Sequence, residues 1–207
     1  MWIIGSIVVL ILATVLYRIV SNRNYRAKAT VALRLLRDET KWGKGKEIYD
    51  PVWAYGDVIY NLNRSGFPRD GSEFGEPNTR IKPEKIGSTG AELLRLRRKA
   101  RIFSFKQEVE VLREQGIDSV DAMDWFTERL ALSELTLADL GLTEDDWQEL
   151  DRKNSVAFAK YHLARYDATK DNLHFFLARK TLMERRLTFK DIGTTKEDML
   201  RRMIESL

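Results

Sequence analysis

The chain has 207 residues and a formal net charge of +4, from 35 Lys and Arg against 31 Asp and Glu, and it contains no cysteine. Without thiols there is no disulfide framework, no thiol catalysis and no thiolate metal site. The mild net charge conceals segregation of sign. Nine basic residues face only Asp38 and Glu39 between Arg18 and Lys46, and fourteen acidic residues face only Arg113 and Arg129 between Glu108 and Asp151. Such asymmetry marks solvated faces and complementarity between parts, not chemistry.

In chain order, the first stretch is MWIIGSIVVLILATVLY, residues 1–17, uncharged and dominated by Leu, Ile and Val. A run of this kind predicts a membrane-spanning helix, and residues 1–20 are read as the anchor. A cleavable signal peptide would need a basic region before the run and a small-residue cleavage site after it, and neither is present. Trp2 and Tyr17 lie roughly 22 Å apart along a helix, which suits aromatic anchors near the edges of a hydrocarbon core about 30 Å thick. Arg18, Arg23, Arg26 and Lys28 follow at once. Basic residues stay on the inner side, so the expected topology is single-pass, with the N-terminus outside and the C-terminal body cytoplasmic or in an organellar equivalent. Residues 21–42 form a basic juxtamembrane segment. One helix is predicted from Trp2 to about Glu39, with Ala29, Ala32 or Leu33, and Leu36 on one side. Arg26, Lys28, Arg34 and Arg37 take the other sides, where anionic headgroups contribute about 1 kcal/mol per cation.

Composition changes abruptly at residues 43–90, which hold all four prolines and eight of the twelve glycines. This segment reads as an extended arm with one short helix, Val52 to Leu62, opened by Pro51 and capped by Asp50. Its aromatics Trp53, Tyr55, Tyr60, Phe67 and Phe74 are the expected partner-binding residues, since flexible linkers are poor in aromatics and an ordered arm lays them on a surface.

Residues 91–207 read as a helical bundle, making the whole chain all-α. Thr89 and Glu92 have the spacing of a capping box for a helix that runs to about Gln115, where Gly116 stops it. A second helix starts at Asp118 or Ser119 and ends near Ser133. A third, opened by Thr143, carries Trp147, Leu150, Ala157, Phe158 and Tyr161. A fourth spans about Lys170 to Arg186 with Leu173, Phe176, Leu177 and Met183 inward, and a fifth carries Met199, Leu200, Met203, Ile204 and Leu207. An internal repeat divides the bundle: LTLADLGLTEDD (Leu135–Asp146) matches LTFKDIGTTKED (Leu187–Asp198) at an offset of fifty-two residues. Upstream, Trp125 and Phe126 echo Phe175 and Phe176. Two copies are too few for a solenoid, so they read as duplicated helical hairpins in one bundle, each with Gly141 or Gly193 just before a capped helix.

No chemical motif emerges. His162 and His174 have no metal-binding spacing and read as satisfied or solvent-facing. Asp118, Asp121 and Asp124 lack the glycine and terminal glutamate of a calcium loop, and Gly43–Lys46 is too short for a phosphate loop. No metal, cofactor or small-molecule substrate is expected. The basic cluster Arg95, Arg97, Arg98, Lys99 and Arg101, followed by Phe103 and Phe105, is the one candidate for anion or nucleic-acid contact. Leu93, Leu94, Leu96 and Ile102 pin its other face inward, and the nearby acidic field opposes phosphate. The leading expectation is a non-catalytic single-pass membrane subunit or scaffold, with lipid and other proteins of a membrane assembly as partners. A membrane-tethered nucleic-acid-binding protein is the second reading and an enzyme the third.

Overall fold

The computed structural model describes residues 2–43, 50–63, 79, 81–117, 119 and 121–206, with the side chains of residues 2–11 outside that set. Among the described residues there are eight α-helices and no strand. They are α1 (Trp2–Arg37), α2 (Pro51–Asn63), α3 (Gly90–Gln115), α4 (Ala122–Leu132), α5 (Leu137–Leu140), α6 (Glu144–Thr169), α7 (Asn172–Glu184) and α8 (Lys196–Glu205). Short 3-10 turns occupy Glu39–Lys41 and Pro83–Ile86. The all-α expectation therefore holds. The chain divides into two compact units, Met1–Ser104 and Phe105–Leu207, and α3 contributes residues to both.

In the first unit α1 runs unbroken because residues 6–37 contain neither Pro nor Gly. It ends at Arg37, two residues before the expected Glu39, where the Asp38 N–H reaches the carbonyls of Arg34 and Leu35 at 3.2 Å each and the chain tightens into a 3-10 turn. The expected inner face is correct: Ala29, Ala32, Leu33 and Leu36 are all buried. They pack with Ala54, Val58 and Leu62 of α2 and with Leu93, Leu96 and Ala100 of α3. The alanines carry little bulk, so the backbones can approach closely, while each fully buried Leu contributes roughly 1.5–3 kcal/mol. Helix α2 starts at Pro51 as expected, with the Val52 N–H donating to Asp50 Oδ1 at 2.8 Å. At the start of α3, Thr89 Oγ1 accepts the Glu92 N–H at 3.1 Å. The Glu92 carboxylate takes Arg37 Nε at 2.9 Å and Nη2 at 2.8 Å in a fork, plus Ser88 Oγ at 3.0 Å. The same guanidinium donates to the Gly87 carbonyl at 2.7 Å, so one side chain at the end of α1 holds the entry to α3.

The second unit is built from the repeat, and the match is one of backbone geometry. Glu134 and Arg186 both take positive φ, 55° and 51°. Leu135 N–H then bonds Leu130 O at 3.1 Å, as Leu187 N–H bonds Leu182 O at 3.0 Å. Thr136 and Asp139 exchange side-chain and backbone hydrogen bonds, as do Thr188 and Asp191. Gly141 and Gly193 turn at φ 78° and 71°, and Thr143 and Thr195 cap α6 and α8 through the N–H groups of Asp146 and Asp198. The repeat also reaches back through the preceding helices at the same fifty-two-residue offset: Met123, Phe126 and Leu130 are buried in α4, and Phe175, Ala178 and Leu182 in α7. The upstream echo therefore needs correction. Aligning Phe126 with Phe176 slips the register by two, onto a residue that is 60% exposed.

Several inward assignments are corrected too. In α7, Leu173, Phe176 and Met183 are exposed, and the buried face is Phe175, Ala178, Thr181 and Leu182. Ala178 and Thr181 are fully buried, and Thr181 Oγ1 donates to the Leu177 carbonyl at 2.8 Å, which lets a hydroxyl sit in the core. In α6, Trp147, Leu150 and Phe158 are buried as expected, whereas Ala157 and Tyr161 face solvent. In α8, Met199 is buried and Met203 packs against the core, while Leu200 and Ile204 are exposed. Helix α4 starts at Ala122, later than expected, with Asp121 at the N-cap position but without a side-chain capping hydrogen bond; Asp118 and Leu207 lie outside the described residues. Gly141 holds its φ in open space, with nothing within 4 Å of an added Cβ. Gly141→Val should cost about 1–2 kcal/mol from backbone strain alone, read as a lowered Tm; an unchanged Tm would show that the turn needs no glycine.

Candidate membrane anchor and partner-contact residues

Residues 12–20 of α1 are all exposed. Nine consecutive residues make two and a half turns, so every face of the helix is exposed there. Leu12, Val15, Leu16, Tyr17, Ile19 and Val20 are 47–74% exposed there. Among the described residues no helix is long and apolar enough to cross a membrane; most of the apolar run, including the Trp2 side chain, belongs to residues whose side chains are not described. Arg18 falls within this stretch, and Arg23, Arg26 and Lys28 are exposed around the next two turns. Tyr25 is half-buried against the core of the first unit, and from Ala29 onward one face of α1 is covered.

On α2, Trp53 is 75% exposed and Tyr60 44%. Seven residues apart, they stand on one face, two turns from each other. Tyr55 is not available in the same way: it packs against the core of the first unit, with the Arg97 guanidinium 5.9 Å from its ring centroid. Burial pushes the Tyr55 hydroxyl pKa up. Phe67 and Phe74 lie outside the described residues.

The basic cluster of α3 is engaged within its own unit. Arg97 is buried over Tyr55, and Lys99 Nζ pairs with Glu39 Oε1 at 2.5 Å. Arg97, Arg98 and Arg101 have further polar or electrostatic contacts, and Arg95 adds to the field that lowers the Glu92 pKa, behind the Arg37 hydrogen bond. In the second unit the acidic segment is likewise answered. Arg185 forks onto Asp124 at 2.7 and 2.9 Å and reaches Asp151 at 3.6 Å, Lys180 meets Asp121 at 3.4 Å, and Arg129 pairs with Glu108.

One pairing went unread in the sequence. His162 on α6 and His174 on α7 bring their Nδ1 atoms to 2.7 Å, with ring centroids 5.0 Å apart and Phe158 4.3 Å from the His162 ring. The signal was there: a twelve-residue separation across a hairpin whose turn falls at Lys170. At that distance one Nδ1 must donate and the other accept, so the contact fails when both rings carry a Nδ1 proton. Among the described residues no three His, Asp or Glu side chains cluster to hold a metal ion. Comparison with protein-family models, known proteins and solved structures found no match for this chain.

Burial, and secondarily His174, pushes the His162 pKa below its ordinary value. A base with a depressed folded-state pKa contributes stability that is present above the unfolded value, about 6.5, and lost as pH falls through the folded value. The Tm of the protein should therefore drop on acidification from about pH 7 to about pH 5, and His162→Gln should flatten that drop. Equal slopes for both proteins would assign the acid sensitivity to other groups.

Proposed function

We propose that this chain is a non-catalytic single-pass membrane protein whose helical body binds other proteins of a membrane assembly. The observation that carries the reading is an uncharged run, residues 1–17, whose described part from residue 12 is exposed on every face, with the exposed cations Arg18, Arg23, Arg26 and Lys28 from its end onward. A surface helix of a water-soluble domain has one apolar stripe. One that is apolar all round needs lipid or protein on all sides, and the length of the run suits a bilayer. The collar Arg18, Arg23, Arg26 and Lys28 places this end of α1 at the inner surface, where anionic headgroups attract it, and puts the body on the cytoplasmic or equivalent side. Trp53 and Tyr60 supply the partner contact, as exposed aromatics on a helix whose other face is fixed in the core. The nucleic-acid reading has less support, since Arg97 is buried and Lys99 is committed to Glu39.

Protease added to sealed inside-out vesicles should digest everything beyond about residue 20, and full protection of the body there would reverse the orientation. Trp53→Ala with Tyr60→Ala should release the partner in native co-purification from mild detergent, by about 2 kcal/mol or more of binding, with helical content and membrane insertion unchanged. Recovery of the unaltered protein as a bare monomer would count against the subunit role.

A further inference from the structure

The chain has two histidines, and the fold sets them tip to tip. His162 on α6 and His174 on α7 hold their Nδ1 atoms 2.7 Å apart with the ring centroids at 5.0 Å. The second distance exceeds the first by two ring radii, the largest excess the rings allow. Both nitrogens therefore lie on the line between the ring centres, and their in-plane bonding directions point straight at each other. Phe158 and Tyr161 lie against the His162 ring, at 4.3 and 5.1 Å between centroids, and the residue is only 8% exposed. His174 is half-buried on the first turn of α7. Fifty-two residues before it stands Ala122, beside buried Met123 as His174 is beside buried Phe175. A helix of this repeat therefore starts without an imidazole at that place.

As a hydrogen bond the contact uses one Nδ1 proton and obliges the neutral rings to take opposite tautomers. With both ring protons on Nε2, the same line presents two neutral imidazole donors to one point, and imidazole is a ligand of transition metals. The number of donors decides which metal fits. Zinc takes four, and divalent copper or nickel takes a square of them. Among the described residues no third His, Asp or Glu side chain joins the pair. Univalent copper has a filled d shell and no geometric preference of its own, so two donors alone bind it from opposite sides, in a line. Two metal–nitrogen bonds of about 2 Å laid end to end require the rings to part by about 1 Å from their 2.7 Å contact. The half-buried His174, not the enclosed His162, supplies that movement.

We infer that His162 and His174 form a two-coordinate site for univalent copper, bound through both Nδ1 atoms. The ion takes the place of the proton between the rings, which moves to Nε2 of its own ring. The neutral pair therefore binds without net release of a proton and without a redox step. The site goes beyond the membrane and partner roles proposed above and uses none of their residues.

The test is an anaerobic titration of the full chain in mild detergent, with ascorbate present and univalent copper shared with the chromophoric chelator bicinchoninate. The unaltered chain should withdraw one copper per chain. His162→Gln and His174→Gln should each bind at least tenfold more weakly, and the double variant no more weakly than either, because one imidazole alone makes no site. Copper-edge X-ray absorption should show two nitrogen neighbours and no sulfur. An unchanged melting curve for His174→Gln verifies the fold. Should His162→Gln not fold, the nitrogen resonances of the unaltered chain decide: silver(I), of the same charge and also with a filled shell, should shift both Nδ1 signals and leave both Nε2 atoms protonated. No withdrawal of copper, no shift with silver, or copper kept by the double variant overturns the proposal. A sulfur neighbour would give the ion to methionine, and zinc bound more tightly than copper at the same two residues would make the site divalent; either result overturns it as well.

Discussion

The constraint on which the first unit depends is the change of environment along one helix. From residue 12 to 17 α1 is uncharged, from 12 to 20 it is uncovered on every side, and from Ala29 it is covered on one side only. On the membrane reading proposed above, the cations at 18, 23, 26 and 28 with half-buried Tyr25 form the boundary between the two stretches. Among the described residues of that unit, α2 and the first part of α3 pack on the covered stretch. Small residues at 29, 32 and 54 sit where α1 meets α2, and Arg37 at its end holds the entry to α3 through Glu92 and Gly87. The Arg37 hydrogen bonds keep the Glu92 carboxyl below the usual range, so that tie is present at neutral pH and is lost only on strong acidification.

The second unit depends instead on a backbone device used twice. A residue at positive φ, a Thr–Asp exchange, a glycine at positive φ and a second Thr cap recur in the same order, so the turn geometry is set by local hydrogen bonds together with burial of Leu135, Leu140, Leu187 and Ile192. Duplication then leaves the surface free to diverge. Between Glu108 and Asp151 the first copy became acidic, and the second supplied Lys180 and Arg185 to meet it while placing Leu173 and Phe176 where its own carboxylates would stand.

Local signals in the sequence read well, and faces read less well. Pro51, Thr143, Gly141 and the repeat itself mark boundaries because capping and turn chemistry act over three or four residues. The inner face of α1 is legible because charges flank it. The face of α7 is not, since Leu173, Phe176 and Met183 make as good an apolar stripe as Phe175, Ala178 and Leu182. Side-chain size decides between them: Ala178 and Thr181 permit close packing yet score poorly as hydrophobes. The repeat held the answer, because carrying Met123, Phe126 and Leu130 forward by fifty-two residues selects the correct stripe. Burial of the Arg97 stem under Tyr55 and the His162–His174 contact were beyond periodicity, since each depends on two helices meeting in a particular register.

Whether the apolar N-terminal part of α1 lies in lipid is decided by alkaline carbonate extraction of membranes from cells making the full chain or a form lacking residues 1–20. The full chain should stay in the membrane pellet, and the shortened form should be recovered in the supernatant with its helical content intact. Release of the full chain into the supernatant would contradict its placement in lipid.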